Sequence, residues 1–179
     1  MRIEVIRQAA GHELPLLLDE DGMPIPSANE FILGRQHLKT NTLARNAREL
    51  MIFFEWLDDQ GIDLWHRVSR GQGFTEAEVV GSLFVMLRRD RSRGKVTKLA
   101  VEPDTYNQRL LTIAAFLRWY FDTCLVGMSS DNRVRERVKE NQARVASWFN
   151  EGSISAAPTS RASGSKSMTD REHAFLVEL

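Results

Sequence analysis

A chain of 179 residues, 42% hydrophobic and 27% charged, has the size and composition of one soluble domain with a real hydrophobic core and a tail. A single cysteine excludes an internal disulfide and points to a reducing cytoplasm. No apolar signal core follows Met1-Arg2-Ile3-Glu4, and no apolar run approaches the ~18–20 residues of a span, so no membrane contact is expected.

The 24 basic and 24 acidic residues cancel, which as a sum argues against a nucleic-acid partner. Along the chain they are segregated. Residues 35–48 hold Arg35, Lys39, Arg45 and Arg48 with no acid, and residues 49–63 hold Glu49, Glu55, Asp58, Asp59 and Asp63 with no base. Residues 88–98 hold Arg88, Arg89, Arg91, Arg93, Lys95 and Lys98 against Asp90 alone. Local fields of this kind, and not the net charge, steer a polyanion.

In chain order, residues 2–33 read as extended. Ile3 and Val5, then Leu14, Leu16 and Leu18, alternate with other residues, and Asp19-Glu20-Asp21-Gly22 is a turn. Pro24 and Pro26 are read as keeping the residues after them out of helix. A small hairpin and an extended arm both fit.

The apolar positions Leu43, Ala47, Leu50, Met51, Phe54 and Leu57 lie on one face of a helix over about 42–60, capped by Thr40 or Asn41 and closed by Gly61. A second helix spans 76–89 behind Thr75, with Val79, Val80, Leu83, Phe84 and Leu87 inward, and the basic stretch after it reads as a loop. The third starts at Pro103 and runs to about 125 on the stripe Tyr106, Leu110, Ile113, Leu117, Tyr120 or Phe121, and Cys124. A fourth comes after a Ser129-Ser130-Asp131 cap and reaches about 149, with Val134, Val138, Val145 and Trp148 on one side. Residues 151–167 are Ser-, Ala- and Gly-rich and read as a flexible linker; Thr169-Asp170-Arg171-Glu172 is a capping box opening a further helix.

Several of these segments together resemble one family. Thr40-Asn41-Thr42-Leu43, Arg48-Glu49-Leu50, Phe53-Phe54-Glu55-Trp56-Leu57 and Gly61-Ile62-Asp63 are similar to the first helix of the core-binding domain of tyrosine recombinases, the phage integrase family. Thr105-Tyr106-Asn107-Gln108-Arg109-Leu110 with Phe116-Leu117-Arg118-Trp119-Tyr120 is similar to that domain's last DNA-facing helix. Met168-Thr169-Asp170-Arg171-Glu172 resembles the opening of the family's catalytic domain, and Leu17-Leu18-Asp19-Glu20-Asp21-Gly22-Met23-Pro24-Ile25 the N-terminal arm of some members. The resemblance implies a mainly α fold: an extended or hairpin arm over 1–34, a core-binding domain of four to five helices over 35–150, the linker over 151–167, and over 168–179 the first helix of a catalytic domain whose remainder is missing. It implies a module packed on one face of duplex DNA. The family's catalytic arginine, lysine, His-x-x-Arg pair, further His or Trp, and tyrosine nucleophile lie beyond the capping box, and none maps here.

The residues support the same partner by their own chemistry. Two helix starts offer backbone N–H groups beside bases: Thr40, Asn41 and Thr42 with Lys39, Arg45 and Arg48, and the start at Pro103 with Arg109. Thr105, Asn107, Gln108 and Arg109 are candidates for reading bases, since Asn, Gln and Arg pair with major-groove edges in two-point fashion. Arg118 is either a DNA contact or a surface ion pair, and Arg91, Arg93, Lys95 and Lys98 suit the DNA backbone. Tyr106 belongs to the core, Trp56, Trp65, Trp119 and Trp148 read as packing anchors, and Cys124 reads as a small buried hydrophobe. His12, His37, His66 and His173 lack metal spacing, so no metal, cofactor or small-molecule substrate is expected.

The expected function is duplex-DNA binding by the N-terminal part of a site-specific recombinase, without strand cleavage by this chain alone. Its partners would be double-stranded DNA and other protomers on that DNA. The alternative is a helical interaction or regulatory module derived from a recombinase that no longer binds DNA.

Overall fold

The computed structural model describes residues 1–7, 13–90, 100–128 and 132–155. Of the expected features, the Ser129-Ser130-Asp131 cap, the basic residues Arg91 to Lys98, the linker beyond 155 and the final capping box lie outside the described residues.

The N-terminal segment is a hairpin. Strand β1 (Arg2–Arg7) pairs antiparallel with β2 (Glu13–Leu18), in a register running from Arg2↔Leu18 to Arg7↔Glu13. Leu14, Leu17 and Leu18 are buried, so β2 carries the hairpin's apolar side. The expected turn comes next, with the Asp19 carboxylate accepting from the Met23 N–H at 2.8 Å and Gly22 at φ 83°.

Helix α1 (Pro26–Leu33) corrects the extended reading of this stretch. Pro26 opens the helix, because a proline in the first turn loses no hydrogen bond and its fixed φ already suits a helix. The Asn29 side chain ties α1 to the hairpin, accepting from Leu17 N–H at 2.8 Å and donating to Leu17 C=O at 2.9 Å.

Helix α2 (Thr40–Asp59) buries the expected stripe, but neither Thr40 nor Asn41 caps it: the cap position is Lys39 in extended conformation, with no side-chain cap bond. Its C-terminus closes as expected. Gly61 has φ 62°, its N–H reaches Asp58 C=O, and Ile62 N–H reaches Leu57 C=O at 2.8 Å, the double bond of a Schellman turn. The short helix α3 (Leu64–Ser69) is absent from the sequence expectation; Asp63 caps it by accepting from His66 N–H at 2.8 Å.

The predicted helix near 76–89 is three pieces in line. Thr75 and Glu78 form a reciprocal capping box on α4 (Glu76–Glu78), a π-helical turn occupies Val79–Leu83, and α5 (Phe84–Arg88) completes the rod. The π turn rotates the apolar face, so Val79, Leu83, Phe84 and Leu87 are buried while Val80 faces out. Helices α6 (Pro103–Gly127) and α7 (Asn132–Glu151) match the predicted stripes, except that Phe149 rather than Trp148 is the fully buried residue at the end of α7.

Helix α6 runs through the centre. Phe116 is wholly buried, with the rings of Phe31, Phe53, Phe54, Trp119 and Tyr120 at centroid distances between 5.4 and 5.9 Å. Aromatic pairs at such distances add to the area they bury. By length and composition α6 is apolar enough to cross a membrane, yet its stripe from Tyr106 to Cys124 is buried against α1, α2 and α7. Cys124 lies in this core as expected; Trp56 is buried too, whereas Trp65 stands 62% exposed and is no core anchor.

Truncating the hub should be costly. Phe116→Ala is expected to lower unfolding stability by about 3–5 kcal/mol, read from urea denaturation, with Phe116→Leu losing clearly less.

Candidate nucleic-acid interface

The packing of α2 on α6 brings Arg45 and Arg48, the bases behind the first predicted helix start, beside the second start at the beginning of α6. Arg45, Arg48, Glu49 and Ile52 of α2 face Asp104, Thr105, Gln108 and Arg109 of α6 across a groove of about 340 Å³. On each helix these positions recur at the three- and four-residue spacing that shares a face. Below them Thr112 donates a hydrogen bond to the Asn46 side chain at 3.3 Å, joining the helices through a buried polar pair. Arg45, Arg48, Thr105 and Gln108 are exposed on the walls.

Two of the expected base readers have other work. Asn107 donates to Ile154 C=O at 2.7 Å and accepts from Ile154 N–H at 3.0 Å, so its amide pins the chain leaving α7 against the start of α6. Arg109 donates from Nη1 to the carbonyls of Leu87 at 2.6 Å and Arg89 at 2.9 Å. It thereby closes the C-terminal end of α5, where backbone carbonyls lack helical partners. The Asn107 amide is thus engaged within the fold, as is Nη1 of Arg109. Neither partner is visible in the sequence, because a hydrogen bond to a distant carbonyl leaves no local pattern.

Lys39 and Thr40 border a separate depression of about 510 Å³ beside Glu13 and His37. Asn41 is exposed and Thr42 half-buried on the same first turn. No side chain caps α2; Thr42 N–H turns to Lys39 C=O at 2.8 Å, and the N–H groups ahead of it suit water or an anion. Arg118 is not brought to this surface: it lines a crevice between α6 and α7 beside Gln142 and Ala146. Arg88 and Arg89 are exposed where α5 ends, with the Arg88 guanidinium 5.1 Å from the centre of the buried Tyr106 ring. Arg91, Arg93, Lys95 and Lys98 lie outside the described residues.

Glu49 is a member of this site that the sequence alone does not single out. It is buried in the groove, with Oε1 3.8 Å from Arg45 Nε and Oε2 without a hydrogen-bond partner. Burial pushes its carboxyl above the usual carboxylate range, against the opposing pull of the Thr112 hydroxyl and of the Arg45 and Arg109 charges. Its one sequence signal is an acid four residues after Arg45 and directly before the core residue Leu50. Among the described residues no group of three His, Cys, Asp or Glu side chains is placed to hold a metal. Compared with protein-family models, curated proteins and solved structures, the chain matches none.

The raised Glu49 pKa has a definite sign. The folded state holds this proton at pH values where the unfolded chain has released it, so this carboxyl lowers stability as pH rises from about 4.5 through its folded pKa. Thermal melts across that range should show Glu49→Gln gaining on the parent protein as pH rises. Arg109→Ala should cost about 1–3 kcal/mol by leaving the part-buried Leu87 carbonyl without its donor, read as a loss of stability in the absence of any DNA.

Proposed function

We propose that this chain binds duplex DNA, as the non-cleaving N-terminal portion of a site-specific tyrosine recombinase. The observation that carries the reading is the convergence of Arg45 and Arg48 with Thr105 and Gln108 on one open groove. The arginines and the uncapped start of α2 suit phosphate oxygens, which position a protein on DNA without reading sequence. Gln108 and Thr105 suit base edges, Gln most of all by pairing with adenine at two points. Arg88 and Arg89, both exposed, add positive charge where α5 ends. In this reading the chain covers one face of the duplex beside other protomers and breaks no strand itself.

The second reading, an interaction module without DNA binding, is favoured by the aromatic surface at the other end of α6, where Trp65 is 62% exposed. A titration of labelled duplex by fluorescence anisotropy at two salt concentrations separates them. Binding should weaken steeply with salt, and Arg45→Ala combined with Arg48→Ala should flatten the log–log slope by about 1.8, at about 0.9 for each phosphate no longer neutralised. Gln108→Ala should keep the slope and narrow the difference between DNA sequences. A folded protein that binds no duplex at low salt would overturn the proposal.

A further inference from the structure

Far along α6 from the basic groove, a second groove of about 340 Å³ opens between α1, α3 and the last turns of α6. Its walls are Trp65 from α3 and Trp119 and Tyr120 from α6, the latter two with ring centres 6.4 Å apart. Trp65 is 62% exposed, while Leu64 and Val68 fill the inner side of its helix. Folding therefore gains little from a tryptophan at this position. The apolar surface continues past the groove: Leu33 lies beyond Pro26 and Glu30 on one face of α1, and Val126, 88% exposed, lies beyond Trp119 and Thr123 on one face of α6. Exposed apolar side chains grouped around an aromatic groove mark an interaction site.

Charge selects the occupant. Among the described residues, the one charged side chain lining the groove is Glu30, a carboxylate. Asp63, which caps α3, stands close enough to Tyr120 that its charge adds to burial and to Cys124 in raising the phenol's pKa. Asp19, Glu20, Asp58 and Asp59 form an acidic cluster of their own, with Asp59 four residues before Asp63 in the chain. There burial and then Glu20 raise the Asp58 pKa, and Asp59 and Asp19 add to it, against a partial offset from the Met1 amino group. An aromatic-walled groove in a negative field attracts a cation over its rings. Guanidinium suits it better than ammonium, being planar, more weakly hydrated and able to stack on tryptophan.

We propose that this groove docks an arginine side chain of a partner protein, presented on a short apolar segment. The aromatic walls take the guanidinium, Glu30 pairs with it, and the exposed Leu33 and Val126 cover the apolar neighbours that carry it. The site is separate from the proposed DNA surface and stands whether or not that reading holds.

The test uses the full chain and two fluorescein-labelled, capped peptides, Ala-Leu-Arg-Leu-Ala and its twin with neutral citrulline in place of arginine. The arginine peptide is expected to bind roughly five- to thirty-fold more tightly than the citrulline peptide. Trp65→Ala and Glu30→Lys, both at exposed positions, should each remove that preference while leaving the melting temperature and duplex affinity unchanged. Equal binding of the two peptides, no binding of the arginine peptide, or binding indifferent to Trp65→Ala would overturn the proposal. Self-association of the chain that Trp65→Ala abolishes would make a second copy the occupant and overturn it as well.

Discussion

The contact of α2 with α6 is the constraint on which the rest depends. Phe53 and Phe54 of α2 meet Phe116 of α6 at ring distances of 5.8 and 5.5 Å, and Phe31 brings α1 onto the same residue at 5.4 Å. Burial on this scale dominates the fold's stability, and it sets the rotation of both helices. Once Phe53 and Phe116 point inward, Arg45 and Arg48 on one helix and Thr105 and Gln108 on the other have no choice but to share a groove. The buried Asn46–Thr112 bond specifies the register, because any axial slip would leave two polar groups without a partner.

Charge is arranged against the helices that carry it. Lys39 sits at the start of α2, where the helix dipole is already positive, and Asp58 and Asp59 sit at its end, where it is negative. Each misplacement costs about 0.3–1 kcal/mol at an exposed terminus. Folding does not ask for this pattern. A polyanion at the start of α2 and a cation near its end would each relieve the mismatch, so the two proposed surfaces draw on one electrostatic polarity. They take partners of opposite sign, which keeps the two sites from competing for the same ligand.

How legible each feature is depends on the range of the interaction behind it. The stripe from Leu43 to Leu57, the glycine closure at Gly61 and the cap at Thr75 are local patterns, and the structure holds them at the positions their sequence signals indicate. Pro26 misleads because proline breaks a helix in its interior and favours one at its start. The π turn at Val79–Leu83 is hidden because one inserted residue leaves an apolar run that still passes for a regular helix. The contacts of Asn107 and Arg109 are hidden because their partners, Ile154 and Leu87, lie 47 and 22 residues away. Glu49 does not stand out because its distinction is burial, a property of the assembled pair of helices and not of either one alone.

Asn107 and Arg109 nonetheless bear on how the proposed interface would work. A flexible basic surface must be ordered when it binds, at about 0.5–1.5 kcal/mol for each long side chain immobilised. Arg109 directs its donors to Leu87 and Arg89, and so fixes the end of α5, where the basic stretch begins, against the start of α6. Asn107 does the same for the segment leaving α7. These side chains do not need to touch DNA to matter for it. They hold Thr105, Gln108, Arg88 and Arg89 on a frame that is already built, which moves part of the ordering cost from binding into folding. A site supported in this way is more exact than one whose every polar residue is left in solvent.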